Sequence, residues 1–315
     1  MRHTDHSRRV FLEQLGLTAG AILVGRAAGS FAAEAGTLHL ATNVYPWITF
    51  YRREDRDFNQ SLETGLAEIA AAELDGFEPI LNNSTDVDQL APLVKRHGLE
   101  MRSFYMNTPL HEPADAKQSI EHVVAIAKLA KEHLGARIVV INPSPIRWGG
   151  PENKNDAQLR TQSAALNELG RQLNEAGLTL AYHYHDIELR NAAREFHHMM
   201  VGTDPSHVSL CFDAHWTYRG SGDSAVAVFD VLKLYGPRIS ELHLRQSRGG
   251  VWTEAFGEGD IDYPQMAAYL LSIDVRPHLV LEQAVEAQSS KTMDAAAAHR
   301  AGGQYARRVF ARWAS

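Results

Sequence analysis

The chain has 315 residues, 44% of them apolar and 22% charged, with a formal net charge of −7; this is the makeup of a globular protein with room for a large core. The acidic balance argues against nucleic acid or an anionic membrane as partner, because both attract clustered Lys and Arg. The single cysteine, Cys211, excludes an intrachain disulfide and any Cys-rich zinc module, so a bound metal would have to be held by His, Asp and Glu.

Residues 1–32 read as an address. Ser7-Arg8-Arg9-Val10-Phe11-Leu12 is a twin-arginine motif, an apolar stretch rich in Gly and Ala runs from Leu15 to Val24, and Ser30-Phe31-Ala32 offers small residues where a signal peptidase reads. Charged start, apolar middle and small-residue exit predict a twin-arginine signal peptide, and hence a periplasmic or secreted protein beginning at Ala33. The apolar stretch is too short for a stable membrane span. From residue 33 to 315, short β-branched or aromatic runs alternate with longer helical patterns. Strands are expected at Leu38–Thr42, Phe77–Leu81, Glu100–Tyr105, Arg137–Ile141, Thr179–His183, Val208–Asp213, Ile239–Leu244 and His278–Glu282. Between them, apolar residues at three- and four-residue spacing predict helices over Leu62–Leu74, Val87–His97, Ala116–Leu134, Asp156–Ala176, Arg190–Val201, Ser224–Tyr235, Tyr263–Ser272 and Met293–Trp313. Gly76, Gly98 and Gly177 each follow a helical interval, where glycine can take the left-handed conformation that ends a helix. Eight alternations without a long linker predict α/β architecture as a single-domain (β/α)8 TIM barrel over residues 33–315, rather than an open doubly wound sheet. No Gly-rich phosphate loop follows the first strand, which disfavours a dinucleotide-binding fold.

In such a barrel the chemistry sits where strands end. Four successive strands end in Tyr182-His183-Tyr184-His185-Asp186-Ile187-Glu188, Phe212-Asp213-Ala214-His215, Leu242-His243-Leu244-Arg245 and Leu281-Glu282. His, Asp, His and Glu thus arrive at corresponding heights, about one strand–helix unit apart. Adjacent strands lie about 4.8 Å apart, so these side chains can converge on one divalent ion. Mn, Zn, Co, Fe or Mg are the candidates, and imidazole in the set leans away from a pure oxygen cage. His183 and His185 share strand parity, so both can point into the mouth, one to metal and the other to substrate. Taken alone, Asp213 reads as a helix cap and His243 as a core histidine bonded to a carbonyl. Glu282 closes an apolar strand and is costly to bury without a partner. Glu78 either lines the pocket or caps the next segment. Trp47 and Trp148 follow the first and fourth strands, where a ring covers a sugar's apolar face or packs in the core.

With these motifs, and with Phe256-Gly257-Glu258-Gly259-Asp260-Ile261-Asp262, the sequence resembles the xylose-isomerase-like barrels, a group of sugar isomerases, epimerases and inosose dehydratases. The resemblance implies one divalent ion held by Glu, Asp, His and Glu from four strands. Asp213, His243 and Glu282 match the last three. His183 stands where the first Glu belongs, with His185 two residues on, a His-x-His-x-x-Glu variant found in dehydratase-like branches. It also implies that Glu188, His215 and Arg245 or Arg248 contact substrate oxygens. The two metal-bound Glu residues are the acid–base pair of the epimerases, so their reduction to one counts against simple two-base epimerisation. The expected function is a metal-dependent isomerase or epimerase, or a keto-sugar lyase or dehydratase, acting on a small sugar or polyol through an enediolate. Glu282 is the expected base and His183 or His185 its partner acid. A non-catalytic sugar-binding barrel is the alternative, and self-association is left open.

Overall fold

The structure, a computed structural model, describes residues 38–314; the twin-arginine segment and Ala33 lie outside the described residues. Eight parallel strands form one sheet: β1 (Leu40–Asn43), β2 (Gly76–Glu78), β3 (Ser103–Thr108), β4 (Ile138–Pro143), β5 (Thr179–Tyr182), β6 (Val208–Asp213), β7 (Ile239–Leu244) and β8 (His278–Leu281). Their order is β2-β1-β8-β7-β6-β5-β4-β3. Bridges Gly76↔Glu100 and Ile80↔Tyr105 join β2 to β3 and close the ring. This is the expected TIM barrel.

Strand alternation divides the apolar residues into two populations. On β6 and β7, Leu210, Phe212, Leu242 and Leu244 face outward and join the large core beneath the helices. Cys211, Asp213, Glu241 and His243 take the opposite parity. Inside the barrel a small cluster of Tyr105, Ile138, Val140, Ala181 and Cys211 fills one side, leaving the other side to polar groups.

The outer helices are α1 (Val44–Arg53), α2 (Leu62–Ala71), α3 (Ser84–Arg96), α4 (Pro113–Leu134), α5 (Asp156–Glu175), α6 (Arg190–Gly202), α7 (Ala214–Gly220), α8 (Ala225–Tyr235), α9 (Tyr263–Ser272) and α10 (Ala295–Val309). Reciprocal capping boxes start α3 (Asn83 with Asp86) and α5 (Asn155 with Gln158), satisfying otherwise orphaned N–H groups. Sequence patterning did not predict α1 or α7. α1 follows β1 without a break and is rich in the β-prone residues Val44, Trp47, Phe50 and Tyr51. Two local features fix it as a helix: the Asn43 side chain accepts the Tyr45 N–H, and Pro46 falls in the first turn, where no N–H is needed. Gly98 and Gly177 are left-handed as expected, with φ of +65° and +69°. Gly76 is not: it lies in β2, where a Cβ would stand 2.7 Å from the Glu100 carbonyl oxygen and 2.8 Å from the His39 ring. Its role is close strand approach. Among the described residues no helix is long and apolar enough to cross a membrane.

Candidate active site

The register carries interior residues of β5 to β8 to the C-terminal mouth together. Asp213 of β6 pairs with His243 of β7, and His243 with Val280 of β8, two residues before Glu282. Ligand atoms of His183, Asp213, His243 and Glu282 all lie within 4.8 Å of one another, and all four residues are buried. His183 Nε2 and Asp213 Oδ2 stand 3.9 Å apart, and neither has a hydrogen-bond partner among the described residues. Buried polar atoms left unpaired are rare and call for an explanation. An imidazole nitrogen and a carboxylate oxygen facing each other fit a divalent cation.

Asp213 serves two readings at once. Its Oδ1 accepts the His215 and Trp216 N–H groups, both at 2.9 Å, and so caps α7. That leaves Oδ2 for the cluster. His243 Nδ1 is 3.2 Å from Glu282 Oε2. Arg245, fully enclosed, donates through Nε to the Glu282 carbonyl (2.9 Å) and pairs through Nη2 with Glu282 Oε2 (2.7 Å). Its guanidinium stacks on Trp216 and Trp252, 4.8 and 4.5 Å from the ring centroids. Burial opposes ionisation of Glu282, but the Arg245 and His243 charges outweigh it and hold the carboxyl well below the usual range.

Above the cluster opens a cavity of ≈ 410 Å³ lined by Tyr45, Tyr105, Asn107, Trp148, His185, Arg190, Trp216, Arg245 and Glu282, among others. His185 sits edge-on to three rings, with centroids 5.0 Å from His183, 5.4 Å from Trp148 and 5.1 Å from Trp216. Its Nδ1 has no partner among the described residues, and burial pushes its pKa well below the ordinary histidine value, so the ring is neutral. His185 lines the cavity and lies outside the four-residue ligand cluster, which takes His183.

Several expected contacts are placed elsewhere. Trp47 is fully buried under α1, donates to Thr42 Oγ1 (3.1 Å) and stacks on His299 at 4.3 Å; it is core, because α1 turns back over the barrel wall. Glu188 points inward and accepts the His185 N–H at 2.8 Å, shaping the loop rather than lining the cavity. His215 lies behind Trp252, whose Nε1 donates to its Nδ1 (3.3 Å), and burial followed by the Arg245 charge pushes its pKa down to about 3. Arg248 is exposed on a short hairpin (Ser247–Arg248 with Val251–Trp252) and donates to the Glu258 carbonyl at 3.3 Å. Trp148, 54% exposed, lines the cavity.

Sequence reasoning passed over Glu241, Trp216, Trp252 and Tyr105. A signal for Glu241 was available: it stands two residues before His243, and so on the same face of β7. Its carboxyl is pushed up, first by burial and then by the Glu78 charge; for Glu78 burial is outweighed by the charge and hydrogen bond of His243, which hold it down. Trp252 comes from the hairpin, which no periodicity announced.

Comparison with known proteins agrees with this architecture. Residues 66–305 match the family described as xylose isomerase-like TIM barrel. A relative from Clostridium perfringens named inosose dehydratase is 27% identical over 255 residues, covering 70% of this chain and 82% of its own. A sugar phosphate isomerase/epimerase from Parabacteroides distasonis superposes with a TM-score of 0.63 at 18% identity, covering 90% of this chain and 98% of its own. The D-allulose 3-epimerase from Methylomonas sp., solved in complex with D-allulose, gives 0.66 at 16% identity, with 86% and 96% covered. The relatives are enzymes, and the structural likenesses bear on the fold. With a family match running from α2 into α10, the chain belongs to the xylose isomerase-like TIM barrel family.

Proposed function

We propose that this chain is a metal-dependent enzyme acting on a small keto-sugar or keto-polyol, as an isomerase/epimerase or a lyase/dehydratase, with elimination of water the favoured outcome. The observation that carries the reading is the convergence of His183, Asp213, His243 and Glu282 beneath a cavity walled by aromatic rings. These four residues would hold the ion, which when bound supplies Lewis acidity toward a carbonyl and its neighbouring hydroxyl. Within the cavity, His185 is the group best placed to move a proton. Its Nδ1 has no partner among the described residues, whereas Glu282 Oε2 is engaged by Arg245 and His243. His185 takes the proton from the carbon next to the ketone, and the electron pair moves to the carbonyl oxygen, giving an enediolate. Arg245, whose Nη1 is unpartnered, lies beside that charge. Collapse of the enediolate with departure of the β-hydroxyl, protonated to water by the His185 imidazolium, completes an elimination; delivery of that proton to the former carbonyl carbon completes an isomerisation. A single cavity-lining imidazole in place of a second glutamate favours elimination, as does the relative named inosose dehydratase.

The test is incubation of the purified protein with Mn(II), Co(II) or Zn(II) and a panel of keto-sugars and keto-inositols in deuterated buffer. Deuterium next to the ketone, together with loss of water by mass, is expected, and His185→Ala should abolish both. Turnover surviving unchanged in Asp213→Ala would sink the metal-dependent reading. We propose further that the protein is exported by the twin-arginine route, a reading supported by the Arg8-Arg9 motif. Arg8→Lys/Arg9→Lys should then retain it in the cytoplasmic fraction.

A further inference from the structure

Below the four ligand atoms the barrel holds a second polar layer that the proposed reaction does not use. His243 Nε2 lies 3.2 Å from Glu78 Oε1 and 3.2 Å from Glu241 Oε1. Asn43 Nδ2 donates to Glu78 Oε1 at 2.6 Å, and Ser103 Oγ donates to Glu78 Oε2 at 2.7 Å. Asn43, Glu78, Ser103, Glu241 and His243 are all at most 2% exposed. They come from β1, β2, β3 and β7, so half the barrel's strands meet at this point.

The hydrogen-bond directions can be read without ambiguity at Glu78. The Tyr45 N–H donates to Asn43 Oδ1 at 2.7 Å, which fixes the amide so that Nδ2 faces Glu78. Glu78 therefore accepts from Asn43 and Ser103 and stands as an acceptor toward the imidazole. We infer that Glu78 and Glu241 are positioning residues, which hold a ring proton of His243 on Nε2 and so leave Nδ1, facing Glu282 and the ligand cluster, as the nitrogen that would take the ion. This rests on the metal site proposed above. A purely structural histidine needs one carbonyl. Here two buried carboxyl groups are spent on one ring nitrogen, in a place where an apolar side chain would cost less to enclose. Fixing the tautomer and rotation of a metal-bound imidazole is what such an outer carboxyl does.

The stability and metal readouts are expected to move in different directions, which separates positioning from packing. Metal-free wild type, Glu241→Leu and Glu241→Gln would be titrated calorimetrically with Mn(II) and melted in parallel. Glu241→Leu should bind Mn(II) about 10- to 100-fold more weakly while its Tm holds or rises. Glu241→Gln, which keeps an acceptor oxygen, should recover most of the affinity. A second measurement needs no variant to fold: in metal-free wild type labelled with 15N-histidine, the His243 Nε2–H should give a resonance protected from solvent exchange. Unchanged Mn(II) affinity in Glu241→Leu overturns the inference, as does an unprotected Nε2–H. Two equivalents of Mn(II) in wild type, one of them lost in Glu241→Leu, would also overturn it by making the lower layer a cation site. Wild type that binds no Mn(II) refutes the metal site instead, and the Nε2–H resonance still reports on the network.

Discussion

Glu188 gives the most quantitative prediction. It lies on the single turn after β5, 1% exposed, with Oε2 accepting the His185 N–H and Oε1 without a partner among the described residues. Burial first, and the nearby Glu195 charge second, raise its pKa from 4.5 to about 7. An unfolded chain loses this proton near pH 4.5, whereas the native chain keeps it to about pH 7. In between, the native state binds more protons, so this group lowers stability as pH rises through that window. At 1.36 kcal/mol per unit, a shift of that size removes about 3 kcal/mol by pH 7.5. Glu188→Gln keeps an oxygen for the His185 N–H and cannot ionise. In urea unfolding of both metal-free proteins at pH 5, 6 and 7.5, the Gln variant should gain on wild type at up to about 1.4 kcal/mol per pH unit. All other titrating groups cancel in the difference. A stability difference that stays flat from pH 5 to 7.5 would refute the buried, partly orphaned placement of this carboxyl.

Asp213→Asn should keep the cap on α7, since an amide oxygen accepts as a carboxylate does, and change stability by less than about 1 kcal/mol. The same change removes an anion from the cluster, so Mn(II) binding measured by calorimetry should weaken markedly; equal losses of stability and affinity would contradict the division of labour between Oδ1 and Oδ2. Trp47→Ala should cost about 3–5 kcal/mol in chemical unfolding, as a large core truncation does, and leave sugar affinity alone. Trp148→Ala should do the reverse: unfolding within about 0.5 kcal/mol of wild type, with sugar binding weakened by about 1 kcal/mol in titration calorimetry.

The two tryptophans show what patterning can and cannot tell. Both follow a predicted strand, and composition gives no reason to separate them. What separates them is α1, which begins at Val44 with no intervening loop and carries Trp47 back onto the barrel wall. Helix propensity is low over that stretch; the Asn43 cap and Pro46 start the helix locally, and the stacking of Trp47 on His299 of α10, which no local pattern announces, sets its buried face. By contrast β6, β7 and α9 were legible to the residue, because each pairs a clear period with a clear stop. The strand-end residues Asp213, His243 and Glu282 were legible for the same reason: parity and spacing survive folding unchanged. Loop residues did not enjoy that protection. Glu188, His215 and Arg248 lie beyond strand ends, where short local helices and the 247–252 hairpin, rather than a repeat, set direction.

His183 follows β5 directly, where the family resemblance implies a glutamate, and its neighbours give a physical reason for a histidine there. His183 Nε2 stands 3.9 Å from Asp213 Oδ2; a carboxylate in place of the ring would bring two buried anions close together, and they would repel unless a cation were always present. A neutral imidazole removes that repulsion: burial pushes the His183 pKa down, so the ring stays uncharged beside the carboxylate. On the function proposed above, the cluster would be held together with less dependence on its ion, and it would lack the second base that proton exchange on two faces of a sugar requires. His185, two residues on, lines the cavity and on the proposed function would offer one base on one face. One base suffices to begin an elimination, because the leaving hydroxyl then accepts a proton instead of the carbon. If the four residues hold an ion as proposed, placing an anion there with His183→Glu should make Mn(II) binding tighter and the metal-free protein less stable, by calorimetry and urea unfolding respectively. Metal-free His183→Glu that equals or exceeds wild type in stability would show that repulsion with Asp213 is not what the histidine relieves.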